Sequence, residues 1–435
     1  MKKRLIVALA IMLCMVFMVG CTTPGADSSA SAATSQSASA ETASADTSTG
    51  TPAETGNVYV DQLMAPAGTP ASTDTSDIVI GVIQDLSGAG SVFGNSCLNG
   101  STLAVEQINA AGGLNGRQIK LVSYDIKGDT AEAINAYTRL AEVDGAVAIA
   151  GPPLSNVGLA CIEVSNTEKV PFVGAFGLPT CMVNEDGSVN PYMFLAQPSA
   201  PYIGEIMADY AMNELGYKNF GFFVRQDHSH CMGIYAAFEA YVTAHGGTIT
   251  TEQYCKSGDT DFKVQLQKLS DSNPDAIVSL VTSVEDVIFV QQAYQLGITL
   301  PMLGNMDFSL PFTTLLSDPT MANNIYFPNN LDYEEEAIQG IRETYVDRFG
   351  TEPDVKSYIG YDEILIIANA IQQAGYSTDR EAVRNALENN ISGLQCTQGM
   401  MSINPATHMP TGLSMVIYKI ENGEYSLLQR YAPEN

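Results

Sequence analysis

The sequence predicts an α/β protein made of two doubly wound parallel-sheet lobes, and three observations predict it. From residue 77 onward short apolar runs alternate with longer amphipathic segments, the pattern of parallel strands joined by crossover helices. After a loop at 197–201, which holds Pro198 and Pro201, that alternation starts again. The roughly 360 residues beyond position 76 also exceed what a single hydrophobic core usually holds.

In the first lobe the apolar runs at 78–83, 119–124, 146–150 and 171–175 are short enough for buried strands. Leu98, Thr102, Val105 and Ile108 recur at helical spacing, and 136–142 and 155–163 fall where crossover helices belong. In the second lobe Ile203, Ile206, Met207 and Tyr210 form a helical stripe ahead of strands at 220–224, 248–253 and 276–281. Tyr361, Ile364, Leu365, Ala368 and Ile371 mark a later helix. Ligands of open parallel sheets lie beyond the carboxyl ends of the strands, so two such sheets facing one another make a cleft.

Residues 1–20 have the layout of a secretory leader: Lys2, Lys3 and Arg4, an apolar run at 5–18, and Gly20 directly before Cys21. The ending Met18-Val19-Gly20-Cys21 resembles a lipobox, which implies a lipid on Cys21 and attachment to a bilayer. The other reading is an ordinary leader whose cleavage point happens to meet a cysteine. Residues 21–76 then read as the lipidated Cys and a disordered tether, because Ala, Ser, Thr, Gly and Pro bury too little surface to offset the entropy of ordering. Such a tether lets a domain stand off a membrane while remaining attached.

The formal net charge of -28 argues against nucleic acid and anionic membrane surfaces as partners. Beyond Cys14 and Cys21, six cysteines remain: Cys97, Cys161, Cys181, Cys231, Cys255 and Cys396. Export permits disulfides, spacing leaves their connectivity open, and no pair has CxxC spacing.

The run Ile108-Asn109-Ala110-Ala111-Gly112-Gly113-Leu114-Asn115-Gly116-Arg117 stops a helix at the paired glycines, turns through Asn115-Gly116 and re-enters a strand at Ile119. It follows Leu86-Ser87-Gly88 and Phe93-Gly94, and it precedes Tyr124-Asp125, Gly151, Ser155 and Tyr361-Asp362. Together these segments resemble the Leu/Ile/Val-binding family, also called type I periplasmic binding proteins, over nearly the whole chain from Asp77. The resemblance implies two lobes joined by a three-segment hinge, closing on a small-molecule solute and presenting it to an ABC permease. The crossings are expected near Pro198, near Pro328 and at 414–419, which gives one lobe of 77–197 plus 329–413 and another of 198–328 plus 414–435. A monomer without cofactor or metal is expected, and the solute is a small carboxylate, foremost an aliphatic or branched-chain amino acid.

Ser155 lies just after a strand end at the start of a helix, where backbone N–H groups and the helix dipole favour an anion. The family's matching Ser binds a carboxylate; Ser155 also suits an N-cap, and it can be both. Ala175-Phe176-Gly177 aligns with the loop that supplies a backbone group and a hydroxyl to an amino-acid head, but Gly177 stands where the hydroxyl is expected. In Asn305-Met306-Asp307, Met306 stands at the position of the family's acid, and Asp307 reaches an ammonium only with a one-residue shift; otherwise it is a solvated loop acid. Phe93 occupies an aromatic wall position, Thr282 replaces an aromatic of the second lobe, and Met232-Gly233 replaces a Tyr-Gly pair.

Two rival chemistries have sequence features to test. Asp227-His228-Ser229-His230-Cys231 holds metal-ligand side chains, but the spacing matches no zinc motif, and His228 and His230 would point opposite ways in an extended segment. For an enzyme, no phosphate loop, nucleophile elbow or HExxH helix appears. The same fold also resembles sensor domains, for which a signalling rather than transporting role is the alternative.

Overall fold

The computed structural model describes residues 55–65, 72–413 and 415–431; the leader, Cys21 and most of the expected tether lie outside them. The described chain starts with helix α1 (Val58–Met64), and strands β1 (Ile78–Gln84), β2 (Ile119–Asp125), β3 (Ala148–Gly151), β4 (Phe172–Gly174) and β5 (Met193–Leu195) follow. They form an all-parallel sheet in the order β2-β1-β3-β4-β5. Helices α2 (Ser91–Ala110), α3 (Thr130–Glu142) and α4 (Ser155–Glu168) connect the first four strands. The sequence shows why each starts where it does: Asp129 caps α3 by accepting from the N–H groups of Ala131 and Glu132.

The second half repeats the plan. Helices α5 (Ala200–Asn213), α6 (Ser229–Ala244), α7 (Lys263–Asp271) and α8 (Ser283–Gln295) alternate with β6 (Asn219–Arg225), β7 (Thr248–Cys255), β8 (Ala276–Leu280), β9 (Met302–Gly304) and β10 (Ile325–Asn329). Those five strands are parallel and ordered β7-β6-β8-β9-β10, the same winding as the first sheet. The chain then returns to the first lobe through α9 (Glu336–Phe349), α10 (Val355–Gln373) and α11 (Arg380–Asn389). There β11 (Leu394–Cys396), β12 (Gly399–Asn404) and β13 (Met409–Thr411) make a small antiparallel sheet. Finally β14 (Met415–Glu421) and β15 (Glu424–Tyr431) add to the β10 edge antiparallel, so the second sheet is mixed.

The chain thus passes between the two lobes three times: after β5, after β10, and between β13 and β14. The two-lobed α/β architecture expected from the alternation is the observed one. The third passage lies ahead of the stretch assigned to it, because 415–421 is a strand of the second sheet paired to both β10 and β15.

The tether expectation needs a correction. Residues 58–64 form α1, with Tyr59, Val60 and Leu63 each 1% exposed. Asn57 caps the helix and donates to Gln107 Oε1 and Tyr361 Oη, while Gln372 Nε2 donates to the carbonyls of Gln62, Leu63 and Ala65. Composition averaged over 21–76 concealed this one apolar turn, whose three side chains each contribute about 1.5–3 kcal/mol on burial.

Beneath α1, helices α2 and α10 cross at backbone contact. A Cβ on Gly100 would lie 1.8 Å from the Ser357 carbonyl oxygen, and one on Gly360 would lie 2.1 Å from that of Cys97. Ser101 Oγ donates to the Gly360 carbonyl at 3.0 Å across the same crossing. This contact fastens the returning helix to the first lobe. All six cysteines beyond Cys21 are buried free thiols.

Candidate functional site

The strand orders decide where a ligand can sit. In each sheet the winding reverses beside the first strand, between β1 and β3 and between β6 and β8, and the carboxyl ends of those strands leave a crevice there. A cleft of about 340 Å³ is built from these two crevices. The first lobe supplies Asp85, the loop and helix start at Ala89–Phe93, and Leu154–Asn156; the second supplies Arg225, Asp227–His230, and Thr282 with Glu285.

Ser155 is the first residue of α4, and Leu154, in an extended conformation, holds the cap position without a side-chain bond. The N-cap reading of Ser155 is therefore replaced: its hydroxyl caps nothing. Ser155 is 5% exposed and lines the cleft, and its Oγ has no hydrogen-bond partner among the described residues. A buried hydroxyl without a partner carries a desolvation cost of about 1–3 kcal/mol, which an accepting ligand group would offset. The helix start beside it adds unpaired N–H groups and the positive end of the dipole.

Phe93 reaches the cleft because the loop after β1 is pinned. Asp85 accepts from the N–H groups of Gly88 at 2.6 Å and Gly90 at 2.7 Å, and α2 packs so closely that a Cβ on Gly94 would lie 2.0 Å from the Asp85 carbonyl. Phe93 and exposed Val92 form the apolar wall of this side.

On the opposite wall Thr282 starts α8 in a capping box with Glu285. Arg225, at the end of β6, lies 3.4 Å from Glu285 and 3.1 Å from Asp227. Asp227 also accepts from the Ser257 N–H at 3.0 Å, and these donors hold its carboxyl below the usual range despite partial burial. His228 caps α6, and burial, followed by the Arg225 and Lys356 charges, pulls its imidazole down to about 4. Burial, then the Lys356 and His228 charges, also lowers His230, so both rings are neutral at pH 7. Among the described residues no group of three or more His, Cys, Asp or Glu side chains is arranged to hold a metal ion.

Of the residues singled out in the sequence, Phe93, Ser155 and Thr282 are brought together around the cleft. Ala175, Phe176, Gly177 and Asp307 are not on its wall. The Ala175 carbonyl accepts from Gln197 Nε2 at 2.9 Å, and Phe176 lies in the first core, 4.9 Å from the ring of Phe172. Gly177 sits at φ +73°, and a Cβ there would lie 2.3 Å from His230 Nδ1. The imidazole of His230 therefore occupies the space toward which a residue-177 side chain would extend. Asp307 accepts from Ser283 Oγ at 3.3 Å, with its carboxyl raised by burial against the opposing pull of Lys356.

Sequence reasoning gave no role to Arg225 or Glu285; for His228 and His230 it favoured structural or ligand-contacting roles over a metal site, and both line the cleft. Arg225 ends a strand of the second crevice, so its position alone was the available signal.

A family model described as periplasmic binding protein matches residues 77–424. The chain is similar to Leu/Ile/Val-binding protein homolog 3 of Brucella melitensis, 24% identical over 325 residues that span 73% of this chain and 84% of the relative. Its structure is similar to a leucine binding protein from Thermotoga maritima, with a TM-score of 0.72 and 25% identity over 82% of this chain and 99% of that one. It also matches an ABC-transporter solute binding protein from Rhodopseudomonas palustris in complex with 3,4-dihydroxy benzoic acid, with a TM-score of 0.73 and 21% identity over 83% and 99%. The family match begins one residue before β1 and extends past β14, taking in the cleft and all three passages between the lobes: the chain belongs to the periplasmic binding protein family.

Proposed function

We propose that this protein is the extracytoplasmic solute receptor of an ABC importer, held to the membrane by lipid on Cys21, and that its two lobes close on a small carboxylate-bearing solute. The observation that carries the reading is Ser155 at the start of α4, which lines the cleft with a buried Oγ that has no partner among the described residues. There a carboxylate accepts from the hydroxyl and from the first-turn N–H groups, and the dipole opposes its charge. Phe93, Val92 and Leu154 give the rest of the solute an apolar wall. Delivery to a permease, rather than chemistry, fits a cleft whose acids are already engaged: Asp85 by backbone N–H groups, Asp227 by Arg225 and Ser257, and Glu285 by Thr282 and Arg225.

A branched-chain amino acid is the solute the named relatives suggest. An aromatic acid is the second reading, favoured by the Phe93 wall and by the dihydroxybenzoate bound to the Rhodopseudomonas protein. The test is a thermal-shift screen of amino acids, aliphatic acids and aromatic acids followed by calorimetry, because a ligand bound only by the folded state raises the melting temperature. A carboxylate that binds tightly supports the reading. Tight binding confined to solutes without a carboxylate rejects it.

A further inference from the structure

One buried side chain links two of the three passages between the lobes. Gln398 lies in the turn between β11 and β12, on the first lobe, and is 2% exposed. Its Nε2 donates at 2.9 Å to the carbonyl of Ala196, the first residue of the first passage. Its Oε1 accepts from Nδ2 of Asn330, the first residue of the second passage. The Ala196 N–H is itself bonded to the Gly174 carbonyl at 3.0 Å, so the first passage starts fixed to β4. The bond to Asn330 is therefore the arm that reaches from the first lobe to the end of the second sheet.

The mount of this arm is rigid. Asp362, fully buried on α10, accepts from the Thr397 N–H and Oγ1, each at 2.8 Å, and from Gln398 Nε2 at 2.8 Å. These bonds fix both the turn and the amide it carries. Helix α10 is in turn held to α2, where Gly360 meets the Cys97 carbonyl.

The passages themselves are only half satisfied. Gln197 Nε2 donates to the Ala175 carbonyl at 2.9 Å, yet Gln197 Oε1 and Asn330 Oδ1 are buried with no partner among the described residues. A buried amide oxygen without a donor is costly. These two oxygens thus favour a different placement of the passages, and the Gln398 amide favours this one. Hinge segments absorb the dihedral changes by which two lobes rotate, so the balance is struck where rotation would begin.

We infer that Gln398 is a positioning residue for lobe closure: its amide is a clasp that holds the second passage against the first and so sets the angle between the lobes. The clasp acts whatever solute the cleft takes, and failure of the carboxylate reading leaves it standing.

The test is the distance between the lobes in the full chain without ligand. Pulsed electron paramagnetic resonance reads it from spin labels on keto-bearing residues introduced at Val143, at the end of α3, and at Val264 on α7, which are 72% and 66% exposed. Wild type is compared with Gln398→Leu, Asn330→Ala, the double variant and Thr397→Val, whose lost hydroxyl bonds only within the first lobe. Gln398→Leu and Asn330→Ala should each shift or broaden the distance distribution. The double variant should do no more than Gln398→Leu alone, because the Asn330 arm acts through Gln398. Thr397→Val should keep the wild-type distribution even where its melting temperature falls. Asn330→Ala deletes a single bond of the clasp, so it carries the test if Gln398→Leu does not fold. A wild-type distribution in folded Asn330→Ala or folded Gln398→Leu overturns the inference. So does an equal displacement in Thr397→Val, which would make the cluster a structural support alone.

Discussion

Replacing Ser155 by Ala separates ligand binding from folding more cleanly than any other change at this site. The hydroxyl is buried and makes no hydrogen bond among the described residues, so its removal breaks none of those bonds and deletes a desolvated polar atom. The ligand-free variant should therefore melt at the wild-type temperature or slightly above it. In the complex the same hydroxyl donates to a carboxylate, a charge-assisted bond contributing about 1.5–3 kcal/mol. At about 1.4 kcal/mol per factor of ten, affinity should fall roughly 10- to 150-fold. Titration calorimetry reads that ratio directly. Thermal shift gives an independent measure: solute at about 100 times the wild-type Kd stabilises by about 2.7 kcal/mol, and by only about 0.9 kcal/mol if binding is about thirtyfold weaker. A ligand-free melting point several degrees lower would mean that Ser155 is structural, and an unchanged Kd would remove it from the site.

Four other perturbations test the fold. Gly360→Ala drives a methyl into the Cys97 carbonyl at the α2–α10 crossing, so it should cost about 1–3 kcal/mol in denaturant unfolding; an unaltered midpoint would show that the helices are not in backbone contact. Leu63→Ala on α1 should cost about 2–5 kcal/mol, and deletion of 55–65 should lower the melting temperature of the remaining chain, whereas a true tether would leave it unmoved. Glu363 is fully buried, and burial, with Asp362 beside it, raises its carboxyl well above the usual range. Its folded form thus keeps a proton that the unfolded chain releases, and its contribution, complete at low pH, is lost as pH rises toward the folded value. Glu363→Gln should therefore gain stability relative to wild type between pH 5 and 8, and melting curves showing a constant difference would contradict that assignment.

Much of the fold was legible because it rests on periodicity. Seven of the ten strands of the two parallel arrays were read from apolar runs, whereas β5, β9 and β10 were not, and the glycine signature around Gly112 located the α2–β2 turn. The antiparallel additions were less visible. The β11–β13 sheet is built from three- to six-residue segments, and β15 alternates exposed and half-buried residues at an edge. The α1 turn was hidden in a polar stretch because what holds it lies some 50 to 300 positions away: Asn57 donates to Gln107 and Tyr361, and the ring of Tyr59 packs against that of Tyr361.

At the site the strand-end rule pointed to Ser155 and Thr282 and the family spacing to Phe93, and all three line the cleft. The places at which the family pattern fails, Gly177 and Met306, were also visible as letters. Their meaning was not. It depends on His230 and Lys356, which come from other elements and approach these two positions only after the chain has folded.

The proposal that the cleft receives a carboxylate at the start of α4 is tested most directly by a crystal structure of the protein grown with the solute that gives the largest thermal shift. The expected result is the solute enclosed between the lobes with a carboxylate oxygen about 2.5–3.0 Å from Ser155 Oγ. A solute bound outside the cleft, or bound within it with no acidic oxygen reaching Ser155, would contradict the proposal.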